Sequence, residues 1–279
     1  MTKNLNPSPQ DPIASRQQMI LELLKTRGPL TLTELASYFE CSTATIRRDI
    51  LALERLGDIR RFHGAVALSG VTGPETSFRE NALRFASEKT AIGRILAEWI
   101  PEDAIVGLNG GTTTTSVAKQ LLAARRRVTV VTNAVNIAHL LSDGGIDVVV
   151  IGGAVSPPNY ETIGPIAIQS LVTLHLDIVV LGANGVDPRF GVTTTTEQEA
   201  AVGRAFAERS DRVIIAADHS KLNRNSLFQM LEWNQVDDLA TDSQSVSVVA
   251  GWAPQAEPLM TYEDAVLYHL RSELPGRLE

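Results

Sequence analysis

Residues 42–65 read S-T-A-T-I-R-R-D-I-L-A-L-E-R-L-G-D-I-R-R-F-H-G-A, and they set the expectation for the N-terminal part of the chain. Ser42 is placed to cap a helix, its hydroxyl accepting a backbone N–H two or three residues on. Ile46, Ile50, Leu53 and Leu56 recur at helical spacing and make one apolar stripe. Thr43, Thr45, Arg47, Arg48 and, a turn later, Arg55 fall on the opposite face. A helix that begins with hydroxyls and guanidinium groups suits insertion into the DNA major groove, where side chains reach base edges and amides meet phosphate. Gly57-Asp58 ends this helix. The following I-R-R-F-H-G is a short strand and tight turn, a basic wing carrying Arg60, Arg61 and His63.

A basic amphipathic helix met alone is more often a solvated surface, so its neighbours decide. Upstream, Thr31-Leu32-Thr33-Glu34 is a capping box, opening a short helix to about Phe39 with Leu32, Leu35 and Ala36 apolar. Glu40-Cys41-Ser42 is the tight turn between the two helices, with Cys41 expected as a small buried hydrophobe. Before them Ser15 opens a helix with Met19, Ile20, Leu23 and Leu24 on one side, closed by Gly28-Pro29. Three helices and a basic hairpin make a winged helix-turn-helix over residues 15–68. Residues 1–14, polar and broken by proline, are expected to be a disordered tail.

The 279 residues leave room for one large domain or two modest ones. A net charge of -7 argues against nucleic acid until its distribution is read. Residues 1–64 hold 9 basic and 7 acidic side chains, the remainder 16 and 25, so the basic excess travels with the helix-turn-helix. A single cysteine excludes an intrachain disulfide and a cysteine metal cluster. No apolar run reaches membrane-span length, and the first residues lack the apolar core of a signal peptide. A cytoplasmic protein with no membrane partner is expected.

Residues 69–77, a Gly/Pro/Thr mixture, read as a linker to an α/β domain over 78–260. That domain opens with a helix capped by Ser87, burying Ile92, Ile95, Leu96 and Trp99. After Pro101, short apolar strands (104–108, 128–131, 147–151, 178–181, 212–216) alternate with amphipathic helices (113–124, 135–141, 165–174, 197–209), the pattern of a mostly parallel sheet. The strands end in small or polar loops, and ligands of open α/β sheets bind at the carboxyl ends of strands. The loop Asn109-Gly110-Gly111-Thr112-Thr113-Thr114-Thr115 carries the most chemistry. Two glycines allow a tight turn with inward amides, a helix starts at once, and an anion is the expected guest. It is neither a P-loop nor a Rossmann loop, and a plain capped βα turn explains it equally well. Asn133, Gly153 and Asn184 sit on neighbouring loops, Lys221 offers a cation, and Asp187 an acceptor for a sugar hydroxyl. The run Thr193–Thr196 reads as a loop and capped helix start.

Other features read as structural. Arg125-Arg126-Arg127 ends a helix and complements its dipole, a second DNA contact being the alternative. His139, His175, His219 and His269 are not at metal-ligand spacing. Residues 261–279 are expected to form a C-terminal helix and tail, starting at Thr261-Tyr262-Glu263-Asp264. No catalytic residues, metal or cofactor are expected.

From about Arg16 to Asp242 the chain resembles a DeoR-type bacterial transcriptional repressor. The resemblance is carried by T-I-R-R-D-I-L-A-L-E (45–54), the wing R-R-F-H-G-A, Glu88-Lys89 with Ile92, Gly111–Thr113, Thr132-Asn133, Gly152-Gly153, Asp218 with Ser220-Lys221, and Thr241-Asp242. It implies a winged helix on operator DNA and a sensor domain similar to ribose-5-phosphate isomerase, controlled by a phosphorylated sugar. It also implies a homodimer or homotetramer. The chain departs from that pattern at Asn109, where relatives usually carry Asp, at Gly203, where they commonly carry Lys, and in His-Gly-Ala for His-Gly-Gly. The rival reading, a sugar-phosphate isomerase, needs a carboxylate base and a lysine. Here Asp187 is followed by Pro188-Arg189, and the lysine position is Gly203.

Overall fold

Proline opens the first helix: α1 runs Pro12–Arg27, three residues earlier than a Ser15 start, because a proline ring already holds the φ that a first helical turn requires. The computed structural model describes residues 12–27, 30–55, 59–62, 65–68, 78–156 and 159–270. Residues 12–14 are therefore helix, not tail; residues 1–11, the 69–77 linker, the 28–29 and 57–58 helix ends and His63 lie outside the described residues. Two compact units divide the chain between Asn81 and Ala82.

In the first unit, α1 is followed by β1 (Leu30–Thr31), α2 (Leu32–Tyr38), α3 (Thr43–Arg55), β2 (Ile59–Phe62) and β3 (Ala65–Leu68). The capping box forms as read, Thr31 N–H donating to Glu34 Oε2 at 2.7 Å and Glu34 N–H to Thr31 Oγ1 at 3.2 Å. Ile20, Leu23 and Leu24 of α1 pack on Leu35, Ile46, Ile50, Leu53, Ile59 and Val66. Met19 is 49 % exposed, one position round the helix from that face. Cys41 is half-buried rather than buried. Strands β2 and β3 form the antiparallel wing, with β1 on the other side of β3. One buried charge ties the helices together: Asp49, 3 % exposed, accepts from Arg16 Nε at 2.6 Å. That bond holds the Arg16 guanidinium above its ordinary value.

Helix α4 (Phe78–Leu83) carries the chain into the second unit. There follow α5 (Ala86–Trp99), β4 (Ile105–Leu108), α6 (Thr112–Ala123), β5 (Thr129–Thr132), α7 (Val135–Asp143) and β6 (Asp147–Val150). A hairpin of β7 (Ala154–Ser156) and β8 (Glu161–Ile163) leads to α8 (Pro165–Leu171) and β9 (Leu176–Gly182). Next come β10 (Gly185–Asp187), β11 (Gly191–Thr194), α9 (Glu197–Ala207), β12 (Ser210–Ala216), β13 (Phe228–Leu231) and β14 (Asp238–Asp242). The unit closes with α10 (Val246–Trp252), β15 (Glu257–Thr261) and β16 (Ala265–His269).

The central sheet has the order β15-β16-β14-β12-β9-β4-β5-β6, and β16 alone runs against the other strands, antiparallel to both β14 and β15. Successive β9 residues serve opposite faces. Ile178 and Val180 join Ile92, Leu96, Val117 and Leu121 on the α5–α7 side. Val179 and Leu181 join Phe206, Leu171 and Leu239 on the side of α8 and α9.

Four expectations fail here for definable reasons. The segment after Thr261 is a hairpin, not a helix: Ala265–His269 is buried throughout and pairs with both β14 and β15, the pattern of an interior strand. Residues 261–270 thus belong to the sensor sheet. Ser87 does not cap α5; the preceding turn is made by Phe85 at φ 53°, and the Ser87 hydroxyl donates to Glu88. The arginine run does not serve the helix dipole. Arg126 pairs with Glu102 at 2.9 Å and Arg127 with Asp103 at 2.7 Å, fastening the turn before β4. Lastly, Thr193 and Thr194 lie in β11, and only Thr196 caps α9.

Candidate nucleic-acid interface and effector site

Helix α3 presents its predicted face. Thr45 N–H donates to Ser42 Oγ at 3.1 Å, and the two hydroxyls lie 2.8 Å apart, so both atoms build the helix start. Thr43, Arg47 and Arg48 are exposed, opposite the buried Ile46, Asp49 and Ile50. Arg60 and Arg61 stand on β2, opposite Ala67 and Val66 of β3. Thr43, Arg47 and Arg48 thus give α3 an exposed polar and basic face next to a β2–β3 hairpin, the elements of a winged helix-turn-helix.

In the second unit the strand order locates the site. From β4 the chain proceeds outward through β5 and β6; from β9 it proceeds the other way through β12 and β14. The order therefore reverses between β4 and β9, the place, at the carboxyl ends of the strands, where open α/β sheets take their ligands. Asn109 spans it: Nδ2 donates to the Gly182 carbonyl at 3.2 Å and Oδ1 accepts the Gly182 N–H at 2.8 Å. Asn109 thus positions the loop.

Gly110 and Gly111 follow. Gly111 has φ 137°, a conformation that a side chain strains, and α6 begins at the next residue. Thr114 and Thr115 hydroxyls both donate to the Gly111 carbonyl, at 3.2 and 2.7 Å, fixing the turn. The N–H groups of Thr112, Thr113 and Thr114 are the first of the helix and lack acceptors within it. Asn136, in the first turn of α7, donates to Thr115 Oγ1 at 3.1 Å. Asn133 donates to the Thr162 carbonyl at 3.0 Å, while its buried Oδ1 has no hydrogen-bond partner among the described residues.

Several contributors were not among the residues that the sequence singled out for the site. Glu161 is buried against Gly110 so closely that a Cβ there would overlap its side chain. Glu199 gathers the end of β11 and the loop after β7, accepting from Thr194 at 2.7 Å, Thr195 at 3.1 Å and Asn159 at 2.8 Å. Lys89 is 4 % exposed on the apolar stripe of α5, with Nζ 3.9 Å from Asp218 Oδ2. Gly93 packs directly on the Ser116 carbonyl, so Lys89, one turn earlier, is carried toward the first turn of α6. Burial pushes the ammonium groups of Lys89 and Lys221 below the ordinary lysine value, against the pull of Asp218. A lysine at i, i+3 and i+7 with Ile92 and Leu96 was the available clue to Lys89.

Three predicted positions have other duties. Gly153 packs on the Ile163 carbonyl and Ala167, which accounts for its lack of a side chain. Asn184 is exposed and accepts from Thr194 at 3.1 Å. Asp187 ends β10 at the far end of a hairpin, where Oδ1 accepts the Arg189 N–H at 2.8 Å. At the opposite edge of the sheet, His175, Asp177 and Asp211 converge, with His175 Nε2 3.1 Å from Asp211, a grouping that sequence spacing does not reveal.

A basic winged helix on one unit and an anion-ready crevice on the other define a ligand-responsive reader of DNA. Comparison with known proteins narrows the class. Residues 16–70 match the DeoR-like helix-turn-helix domain and residues 84–243 the DeoR C terminal sensor domain. The transcriptional repressor AccR of Agrobacterium fabrum is 35% identical over 84% of this chain and 91% of that protein. The HTH-type transcriptional repressor GlcR of Bacillus subtilis is 33% identical over 80% and 86%. The putative aga operon transcriptional repressor of Escherichia coli O157:H7 is 30% identical over 82% and 86%. The chain belongs to the DeoR family of transcriptional regulators. Ribose 5 phosphate isomerase A from Neisseria gonorrhoeae aligns with 67% of this chain and 77% of that one at 14% identity and a TM-score of 0.37, a distance at which likeness says nothing about chemistry. No described helix is long and apolar enough to cross a membrane.

Proposed function

We propose that this regulator represses genes of carbohydrate use by binding operator DNA through α3 and the β2–β3 wing, and that a phosphorylated sugar in the β4/β9 crevice controls it. The observation that carries the reading is the placement of a glycine turn and a helix N-terminus at the strand-order reversal, with the buried Lys89 and the half-buried Lys221 at neighbouring helix and strand ends. Relatives named for the aga operon and for the glycerol-3-phosphate regulon support the class of gene and ligand. In this scheme the loop amides and the ammonium groups of Lys89 and Lys221 take the phosphate, and Asn133 Oδ1 takes a hydroxyl. Arg47 and Arg48 read base edges, and Arg60 or Arg61 meets phosphate.

The chain senses its ligand without converting it. An isomerase would need a lysine where Gly203 stands, and a Cβ at that position overlaps Met230 of β13. It would also need a carboxylate base beside the ligand, and Asp187 is held in a hairpin turn. Assembly as a homodimer or homotetramer belongs to the same reading, since two-fold repressors meet repeated half-sites.

Selection of bound genomic fragments, followed by retardation assays on them, tests the DNA half. Arg47→Ala with Arg48→Ala is expected to abolish specific retardation; unchanged binding overturns it. Calorimetry with ribose 5-phosphate, fructose 6-phosphate, glucose 6-phosphate and glycerol 3-phosphate tests the sensor half. Binding of one of them, lost in Lys221→Ala, is the expected result. Conversion of ribose 5-phosphate to its ketose by the purified protein would favour the isomerase.

A further inference from the structure

Where the chain passes into the second unit, three cations gather round one carboxylate. The Lys89 ammonium donates to the Arg84 carbonyl and faces Asp218 Oδ2 at 3.9 Å. Asp218 is fully buried; its Oδ1 accepts from Ser220, while Oδ2 has no hydrogen-bond partner among the described residues. Lys221 feels both Asp218 and the Arg84 guanidinium. Lys89 is withdrawn from water and Lys221 half so, while Arg84 is exposed; two ammonium groups thus share one fully buried carboxylate, a condition that an incoming anion relieves.

The carbonyl held by Lys89 belongs to an unusual turn. Phe85 is left-handed at φ 53°, a region that a bulky side chain occupies only under constraint. Its ring stands edge-on to the His219 ring with centroids 4.6 Å apart, and the Arg84 guanidinium lies 5.8 Å from its centroid. His219 is anchored in turn, its backbone N–H donating to Asp242 at 2.6 Å and its Nδ1 lying 3.1 Å from the same carboxylate. Glu88, on the first turn of α5, accepts from Gln244 at 3.2 Å. The residues that hold the turn therefore come from the loops after β12 and β14, at the edge where the crevice opens.

We propose that the Arg84–Phe85 turn is a latch released by the ligand: a phosphate monoester reaching Lys89 and Lys221 takes the Lys89 ammonium from the Arg84 carbonyl, and Phe85 leaves His219. This rests on the sugar-phosphate reading of the same crevice and adds its output. A phosphate dianion is a far stronger acceptor than a carbonyl, so the exchange runs in this direction. The turn is three residues inside the second unit and directly follows α4, so its release acts on the covalent path to the helix-turn-helix.

A ligand that must open a latch loses affinity to that opening, so breaking the latch beforehand tightens binding. The test uses the full-length protein and, of the four sugar phosphates above, the one that binds the wild type most tightly. Phe85→Ala is expected to bind it at least threefold more tightly. In the wild type, saturating ligand is expected to speed hydrogen exchange at amides 86–90 severalfold; that measurement stands alone if the variant does not fold. Equal or weaker affinity in Phe85→Ala overturns the latch, as does unchanged exchange in the liganded wild type. If none of the four binds either protein, the sugar-phosphate reading falls and the latch with it; if the wild type binds and the variant matches it, the latch alone falls.

Discussion

Gly110 has no room for a methyl group. The Glu161 side chain occupies the space where a Cβ would go, so Gly110→Ala pushes the anion loop and β8 apart. Overpacking of this kind costs about 1–3 kcal/mol, and the expected result is a lowered Tm together with loss of sugar-phosphate binding. Ser42 offers a second single-residue test. Its hydroxyl caps α3, and Ser42→Ala is expected to cost about 1 kcal/mol in a urea melt of the helix-turn-helix, apart from any DNA effect. Both roles follow from local chemistry, yet only the cap was legible beforehand. A serine before an apolar-periodic run announces itself, whereas the reason for Gly110 lies in a residue 51 positions away.

Among elements, α5 has the most to reveal by titration. Burial depresses the Lys89 and Lys221 ammonium groups below the ordinary value of 10.5. Between the depressed value and 10.5 the unfolded chain binds more protons than the folded one, so their contribution makes stability rise with pH across that interval. Lys89→Met is expected to remove part of that rise, which urea melts on both proteins at a series of alkaline pH values would measure. Ligand affinity is expected to move the opposite way, falling with pH before 10.5 as the ammonium is lost. The parallel strands and their helices were readable because five apolar runs alternate with amphipathic ones. Strands β14 and β16 were not. Asp238, Thr241 and Asp242 break the apolar signal of β14 although all are buried, since Asp238 bonds Arg212 and His269 while Asp242 bonds His219. The five residues of β16 look like a helix start until a neighbour is known on each side.

At the scale of the whole molecule, charge is divided. The first 64 residues are basic on balance and the remainder acidic, so duplex contact is expected to be confined to the helix-turn-helix and to rest on a limited number of phosphates. Affinity for a bound genomic fragment is expected to fall at least about tenfold between 50 and 200 mM salt, with a log–log slope that counts those phosphates. Replacing Arg60 and Arg61 by Ala should make that slope shallower, as filter binding across a salt series would record. The central sheet is divided too, into two runs of strands that part between β4 and β9, with the Asn109 amide stitched to both polar atoms of Gly182. An aspartate at this position would bring no hydrogen to the Gly182 carbonyl and would set two oxygens face to face. The gap it borders would then spread, whatever ligand arrived. Asn109→Asp is therefore expected to change the local charge and the tie to Gly182 together, so that neither is altered at residue 109 while the other stays fixed.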